Sequence, residues 1–188
     1  MKHKTITRTL LTILTRGTRT ILVLAALGAC FTTLALGAAD SGPCSKNAES
    51  RQLDYWLGSW RVGMAGAPDG ATSKVELSLD KCLVIESWEG GKGHAGKNML
   101  GYSPDDKRWY GMFADNEGRV HVFTSGTVET GSAEFDGQSR GPDGTTVLNK
   151  VTVKRITPNE VEQKWEKSSD NGANWTTVFR GEYSRANP

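Results

Sequence analysis

The 188-residue chain is poor in the side chains that most often carry chemistry: it has three cysteines and three histidines. No two cysteines form a Cys-x-x-Cys pair, so thiol-exchange catalysis has no motif to work through. Beyond His3 only His94 and His121 remain, and neither has a cluster of metal-ligand residues beside it in the sequence. A structural zinc site needs about four ligands, and a haem needs an axial one; no metal and no cofactor is expected here. The glycines of Gly90-Gly91-Lys92-Gly93-His94-Ala95-Gly96 come too late, and lack the following helix, to be a dinucleotide fingerprint. No strand-to-helix nucleophile elbow is read. A convincing long helical period is absent as well, which leaves little room for an α-helical core.

What is present begins with a leader. Residues 1–39 read as a secretory signal peptide: Lys2, Lys4, Arg8, Arg16 and Arg19 without an acid, an apolar run from Ile21 to Leu36, then the small residues Gly37-Ala38-Ala39. A membrane anchor is the alternative, but the run is short for a span and ends in a cleavable site. Leu27-Gly28-Ala29-Cys30 loosely resembles a lipoprotein cleavage box, with Cys30 as the anchored residue, although Phe31 to Ala39 stays apolar after it. The expected location is therefore exported, periplasmic or secreted, with no stable membrane span after processing.

The leader holds five of the 23 basic residues and none of the 21 acidic ones, leaving 18 against 21, a net charge of −3. No basic patch remains to argue for nucleic acid or an anionic membrane. The chain beyond the leader is long enough for one domain with a real core. We expect an N-terminal segment over 40–51 and a single domain over 52–185. Cys44 and Cys82 both lie beyond the leader, and in an oxidising compartment they are expected to form a disulfide that ties the N-terminal segment down.

After a short helix or turn over 48–57, hydrophobicity alternates with period two. Trp60, Val62 and Met64 share one face of the first strand; Val75, Leu77 and Leu79 share one face of the second, opposite Lys74, Glu76 and Ser78. Further strands are expected over 82–88, 98–102, 108–114, 119–125, 133–135, 145–155, 160–167 and 175–184. Turn chemistry separates them: Asp69-Gly70, Ser103-Pro104-Asp105-Asp106, Asn116-Glu117-Gly118, Asp143-Gly144 and Thr157-Pro158-Asn159. About ten short strands with such punctuation point to an all-β, antiparallel, up-and-down barrel, with an open sandwich as the alternative.

The late strands identify the interior. Val161, Gln163 and Trp165 alternate with Glu162, Lys164 and Glu166; Val147, Asn149, Val151 and Val153 share a face away from Lys150 and Lys154. Apolar walls with a few polar anchors are what ligand pockets tend to have. Glu86 alternates with Val84 and Trp88, and three placements stay open for it. It could be a ligand anchor or general base inside the barrel, a buried ion pair with Arg61 or Arg180, or a solvated residue on an inverted strand. Trp88, Trp109 and Trp165 are the tryptophans expected in a cavity, against the alternative that they fill the core. His94 belongs to a flexible loop that could lie at a barrel mouth, and His121 lies mid-strand.

Gly58-x-Trp60 resembles the opening motif of lipocalins and other calycins, where an arginine of the last strand packs across the tryptophan. The resemblance implies that role for Arg180, with Arg185 as the alternative. Several segments together are similar to exported bacterial calycin-like domains of unknown function: Asp54-Tyr55-Trp56-Leu57-Gly58-x-Trp60, Cys82-Leu83-Val84-Ile85-Glu86-Ser87-Trp88, Gly93, Gly96, Trp109 and Ser168-x-Asp170-x-Gly172-x-x-Trp175. The similarity spans about Gln52 to Arg185 and implies a lipocalin-like barrel that binds a small ligand. Haem-binding relatives of that architecture use a histidine near the C-terminus, and this chain has none after His121. The last segment also resembles the Asp-box of sialidases, which implies a structured hairpin and no glycosidase activity.

The favoured function is non-catalytic binding of a small apolar or amphipathic molecule in the lumen. Glu86, Trp88, Trp109, Asn149, Gln163, Trp165 and Tyr183 are the candidate contacts. One alternative is an acid/base enzyme of isomerase or hydrolase type using Glu86, with His121 or Tyr102 as partner. Another is a cell-envelope interaction module with a packed barrel, acting through the loops Gly90 to Lys97 and Asp136 to Asp143. Oligomeric state is not legible in the sequence.

Overall fold

A computed structural model describes residues 42–65 and 70–186. The leader over 1–39 with Cys30, and Asp69 of the first expected turn, lie outside the described residues. Ten strands form the body. They are β1 (Gly58–Met64), β2 (Ala71–Ser78), β3 (Leu83–Glu89), β4 (Ala95–Ser103) and β5 (Arg108–Asp115), followed by β6 (Val120–Glu129), β7 (Ser132–Arg140), β8 (Thr146–Thr157), β9 (Glu160–Ser168) and β10 (Thr176–Arg185). Each pairs antiparallel with its sequence neighbours, and β10 returns to β1, closing the barrel. Closure excludes the open sandwich and leaves no unpaired sheet edge.

Two local expectations change, while the short helix or turn expected over 48–57 is present. The segment over 48–57 forms two short 3-10 turns, Glu49–Arg51 and Asp54–Trp56, preceded by a third at Pro43–Ser45. Leu79 leaves the β2 face: it starts a turn in which Leu79, Asp80 and Lys81 all have positive φ, and it is 70% exposed. The expected loop Asp136 to Asp143 is mostly strand, because β7 runs on to Arg140. Its polar composition hides a strand that β6 and β8 impose from both sides. Gly137 is required there, since a Cβ would come within 2.3 Å of the Val122 carbonyl oxygen at a bulge of β6.

The N-terminal turns stopper one end of the barrel. Leu53 and Trp56 are fully buried, and Trp60 Nε1 donates to the Trp56 carbonyl at 2.8 Å. Tyr55 Oη donates to the Val153 carbonyl at 2.8 Å, and Gln52 ties Trp109 Nε1 (3.1 Å) to the Val128 carbonyl (3.3 Å). The Arg185 guanidinium lies 4.0 Å over the Trp60 ring and donates to the Leu57 carbonyl. Arg180, the first candidate for that role, instead points outward to Glu162 at 2.5 Å. Inward parity decides it: on β10 the odd residues Gly181 and Tyr183 are buried, and Arg185 continues that face to the closed end. Among the described residues no helix is long and apolar enough to cross a membrane.

Cys44 and Cys82 form a disulfide across a sequence separation of 38 residues, fastening the first turns to the β2–β3 connection. Arg51 Nη2 reinforces it by donating to the Lys81 carbonyl at 2.5 Å. Opening a loop of that size costs roughly 3–4 kcal/mol in the chain-entropy model. Cys82→Ser is expected to lower the unfolding free energy by that amount in urea titrations. Reductant should lower it equally in the parent chain and leave the variant unchanged.

Candidate functional site

The stoppered end is filled by Leu53, Trp56, Trp60, Trp109, Phe135 and Val153, all buried. Toward the other end the inward side chains do not fill the barrel, and a cavity of about 360 Å³ remains. Trp88 (β3), Phe113 (β5), Phe123 (β6), Trp165 (β9) and Phe179 (β10) wall it. Trp165 is the hub, with edge-to-face contacts to His121 (4.6 Å between centroids), Phe113 (5.5 Å) and Phe123 (5.9 Å). Gly96 gives Phe113 its place, because a Cβ there would meet the ring at 2.5 Å.

The floor is polar. Glu86 is 1% exposed, and its β3 side chain is flanked by β2 and β4 in register with Val75 and Asn98. Ser73 Oγ donates to Oε1 at 2.8 Å and Asn98 Nδ2 to Oε2 at 2.5 Å. The Tyr183 hydroxyl lies 3.0 Å from Oε1 and also bonds Gln163 Oε1. No cation pairs with Glu86 among the described residues: Arg61 is exposed and Arg180 is held by Glu162. The ion-pair and inverted-strand placements are thus both replaced by a buried, uncharged-donor cage.

Desolvation dominates and raises the Glu86 pKa, against the lowering effect of the Asn98, Ser73 and Tyr183 hydrogen bonds. The proton count points the same way. With Gln163 oriented oxygen-first, the single phenol proton cannot serve both Glu86 and Gln163. A protonated Glu86 completes the chain by donating to the phenol, which donates to Gln163. Burial and the adjoining Glu86 in turn hold the Tyr183 pKa well above its usual value.

The mouth carries the charges. Asp115, on the inward face of β5, would be raised by desolvation, but hydrogen bonds from the Arg119 backbone and guanidinium and from the Glu117 backbone bring its pKa to about 2. Arg119 Nε donates to Asp115 at 2.7 Å, its Nη2 to Glu117 at 2.8 Å, and Nη2 also lies 3.1 Å from His94 Nε2. His94, Asp115 and Glu117 bring ligand-type atoms within 4.8 Å of one another. The Arg119 guanidinium already takes up the carboxylates that such a cluster would offer a metal. His121 lines the cavity with its pKa lowered by burial and then by Lys167 and Arg119, and its Nδ1 has no partner.

The predicted contacts divide. Glu86, Trp88, Gln163 and Trp165 line the cavity, as does His121. Trp109 does not: it is 2% exposed in the stoppered end, edge-on to Tyr102, because it stands four residues below Phe113 on the same face of β5. Tyr102 is therefore remote from Glu86 as a catalytic partner. Asn149 stands behind the wall, accepting from Trp165 Nε1 at 3.1 Å, and Tyr183 stands behind the floor. Residues missed in the sequence include Asn98, Phe113, Asp115, Arg119, Phe123, Lys167 and Phe179. Parity marks Lys167, two positions beyond Trp165, whereas Asn98 needed the β3–β4 register.

Two hairpin segments carry familiar spacings without the chemistry. Gly137-Gln138-Ser139-Arg140-Gly141 matches Gly-x-Ser-x-Gly, but Ser139 lies within β7 paired with Val147, not on a strand-to-helix turn. Its Oγ accepts from Asn149 Nδ2 at 2.9 Å. The Asp-box segment is a built hairpin: Asp170 Oδ1 receives Ser168 Oγ at 2.7 Å and Asn174 N at 2.9 Å, and Lys150 covers Trp175 at 5.0 Å.

No family model matches the chain, and no curated protein matches it. Among solved structures it is similar to one described as "Structure of EF1p2_mFAP2b bound to DFHBI", at 16% identity and a TM-score of 0.30, covering 74% of this chain and 100% of that one. A likeness of that degree carries no argument about ligand or chemistry. The barrel stands on its own strand pairing.

A carboxyl whose native pKa is raised stabilises the fold below its unfolded pKa, and that stability fades as pH rises through the native value. The contribution of Glu86 should thus be complete below about pH 4.5, the ordinary glutamate value, and fall above it. Urea titrations from pH 4.5 to 8 are expected to show a declining slope in the parent chain that is shallower in Glu86→Gln. Equal slopes in the two would place an ionised Glu86 in the cage.

Proposed function

We propose that this barrel is an exported, calycin-like carrier that binds a small apolar or amphipathic molecule in its lumen. The observation that carries the reading is a cavity of about 360 Å³ with aromatic walls, a hydrogen-bonded polar floor and, among the described residues, one end without a stopper. That volume lies toward the lower limit of small-molecule pockets. Walls of this kind supply affinity through burial, and Glu86 with Gln163 supplies orientation. The disulfide is consistent with an oxidising, exported location.

Native mass spectrometry on oxidised residues 40–188 tests this, with N-phenyl-1-naphthylamine fluorescence as a second readout. An excess mass lost on denaturation, or saturable enhancement of the dye, is expected. Trp165→Ala, with circular dichroism retained, should weaken dye binding by about tenfold or more, the affinity that a buried aromatic contributes. A bare mass together with no dye binding would overturn the proposal.

Glu86 and His121 line the same cavity, and this favours acid/base turnover as a second reading. In that case Glu86→Gln abolishes turnover of the compound identified by mass, and a compound released unchanged by both proteins ends the reading.

A further inference from the structure

Lys167 is the charge that the cavity leaves unmatched. It continues the inward parity of Gln163 and Trp165 on β9 and lines the cavity near its mouth. Its Nζ lies 5.4 Å from the Trp165 ring centroid, and no carboxylate pairs with it among the described residues. The nearby acids are engaged, since Asp115 and Glu117 both hold Arg119. Neighbouring lysines face outward to acids of their own, Lys164 to Glu166 at 3.0 Å and Lys150 to Glu134 at 3.3 Å. Among the described residues Lys167 is the only lysine that lines the cavity. Burial, and then the adjacent Arg119, push its pKa down, the expected response of a half-buried cation without a counter-ion.

The inner end of the cavity has the opposite character. Glu86, Ser73, Asn98, Tyr183 and Gln163 satisfy one another, and no cation stands among them. An anionic head group would find no counter-charge at that floor. Between floor and mouth stand the rings of Trp88, Phe113, Trp165 and Phe179. His121, edge-on to Trp165 and with Nδ1 unpartnered, adds a polar ring at the mouth beside Lys167.

We propose that the cavity takes an amphipathic anion, its carboxylate, sulfonate or phosphate head paired with Lys167 Nζ and its apolar body among the aromatic rings. This rests on the small-molecule reading above and narrows it to a ligand class and an orientation, head outward and tail toward the floor.

Two dyes with a common ring skeleton test it: 1-anilinonaphthalene-8-sulfonate and the uncharged N-phenyl-1-naphthylamine. The disulfide-intact protein should bind the sulfonate about tenfold more tightly than the neutral dye. Lys167→Met should reduce that preference by about tenfold, and Lys167→Arg should preserve it. Binding of both dyes with a preference unaltered by Lys167→Met overturns the anion assignment and leaves the cavity reading standing. An effect of Lys167→Met that persists after Trp165→Ala places the sulfonate on the surface and also overturns it. Failure of both dyes to bind the parent protein overturns the anion assignment, and together with a bare native mass it overturns the cavity reading itself.

Discussion

Ten strands closed into a circle enclose more volume than their own inward side chains fill, and the rest of this structure depends on how that volume is divided. At one end the N-terminal turns insert Leu53 and Trp56, Arg185 caps Trp60, and the disulfide holds the stopper in place. Among the described residues no segment plays that part at the other end. The aromatic side chains there are large enough to line the barrel and too few to close it.

The floor between these halves explains why a carboxyl can exist so deep in the barrel. An isolated carboxylate would be costly in that position, yet Glu86 accepts from Ser73 and Asn98. In its protonated form it donates to the Tyr183 phenol, which in turn donates to Gln163. These partners come from β2, β4 and β10, so the network also ties strands from both sides of the β1 closure. The Tyr183–Glu86 contact is the one that depends on the barrel being closed, since it joins β10 to β3 across the β1–β10 seam.

Charge is handled differently at the rim. Asp115 and Glu117 share the Arg119 guanidinium around the β5–β6 turn, while Lys167 on β9, near enough to Arg119 to feel its charge, has no acid of its own among the described residues. Of the charged side chains that line the mouth, Arg119 is paired with Asp115 and Lys167 is left as the cation without a carboxylate. That asymmetry, above a floor without a cation, gives the lumen a direction.

Period-two alternation and turn chemistry were enough to read about ten antiparallel strands and the shared parity of Trp88, Gln163 and Trp165, because side-chain direction is a local property of a strand. Barrel against sandwich, and the placement of Glu86, were left open. The two cysteines similarly foretold their bridge. Height along the barrel was not legible. Trp109 and Phe113 share a face of β5, but the stagger of the strands puts one in the stopper and the other in the cavity wall. Nor could sequence choose Arg185 over Arg180, or bring Tyr183 to Glu86 across 97 residues. Those partnerships are set by register between strands distant in the chain, and register is fixed only when the last strand meets the first.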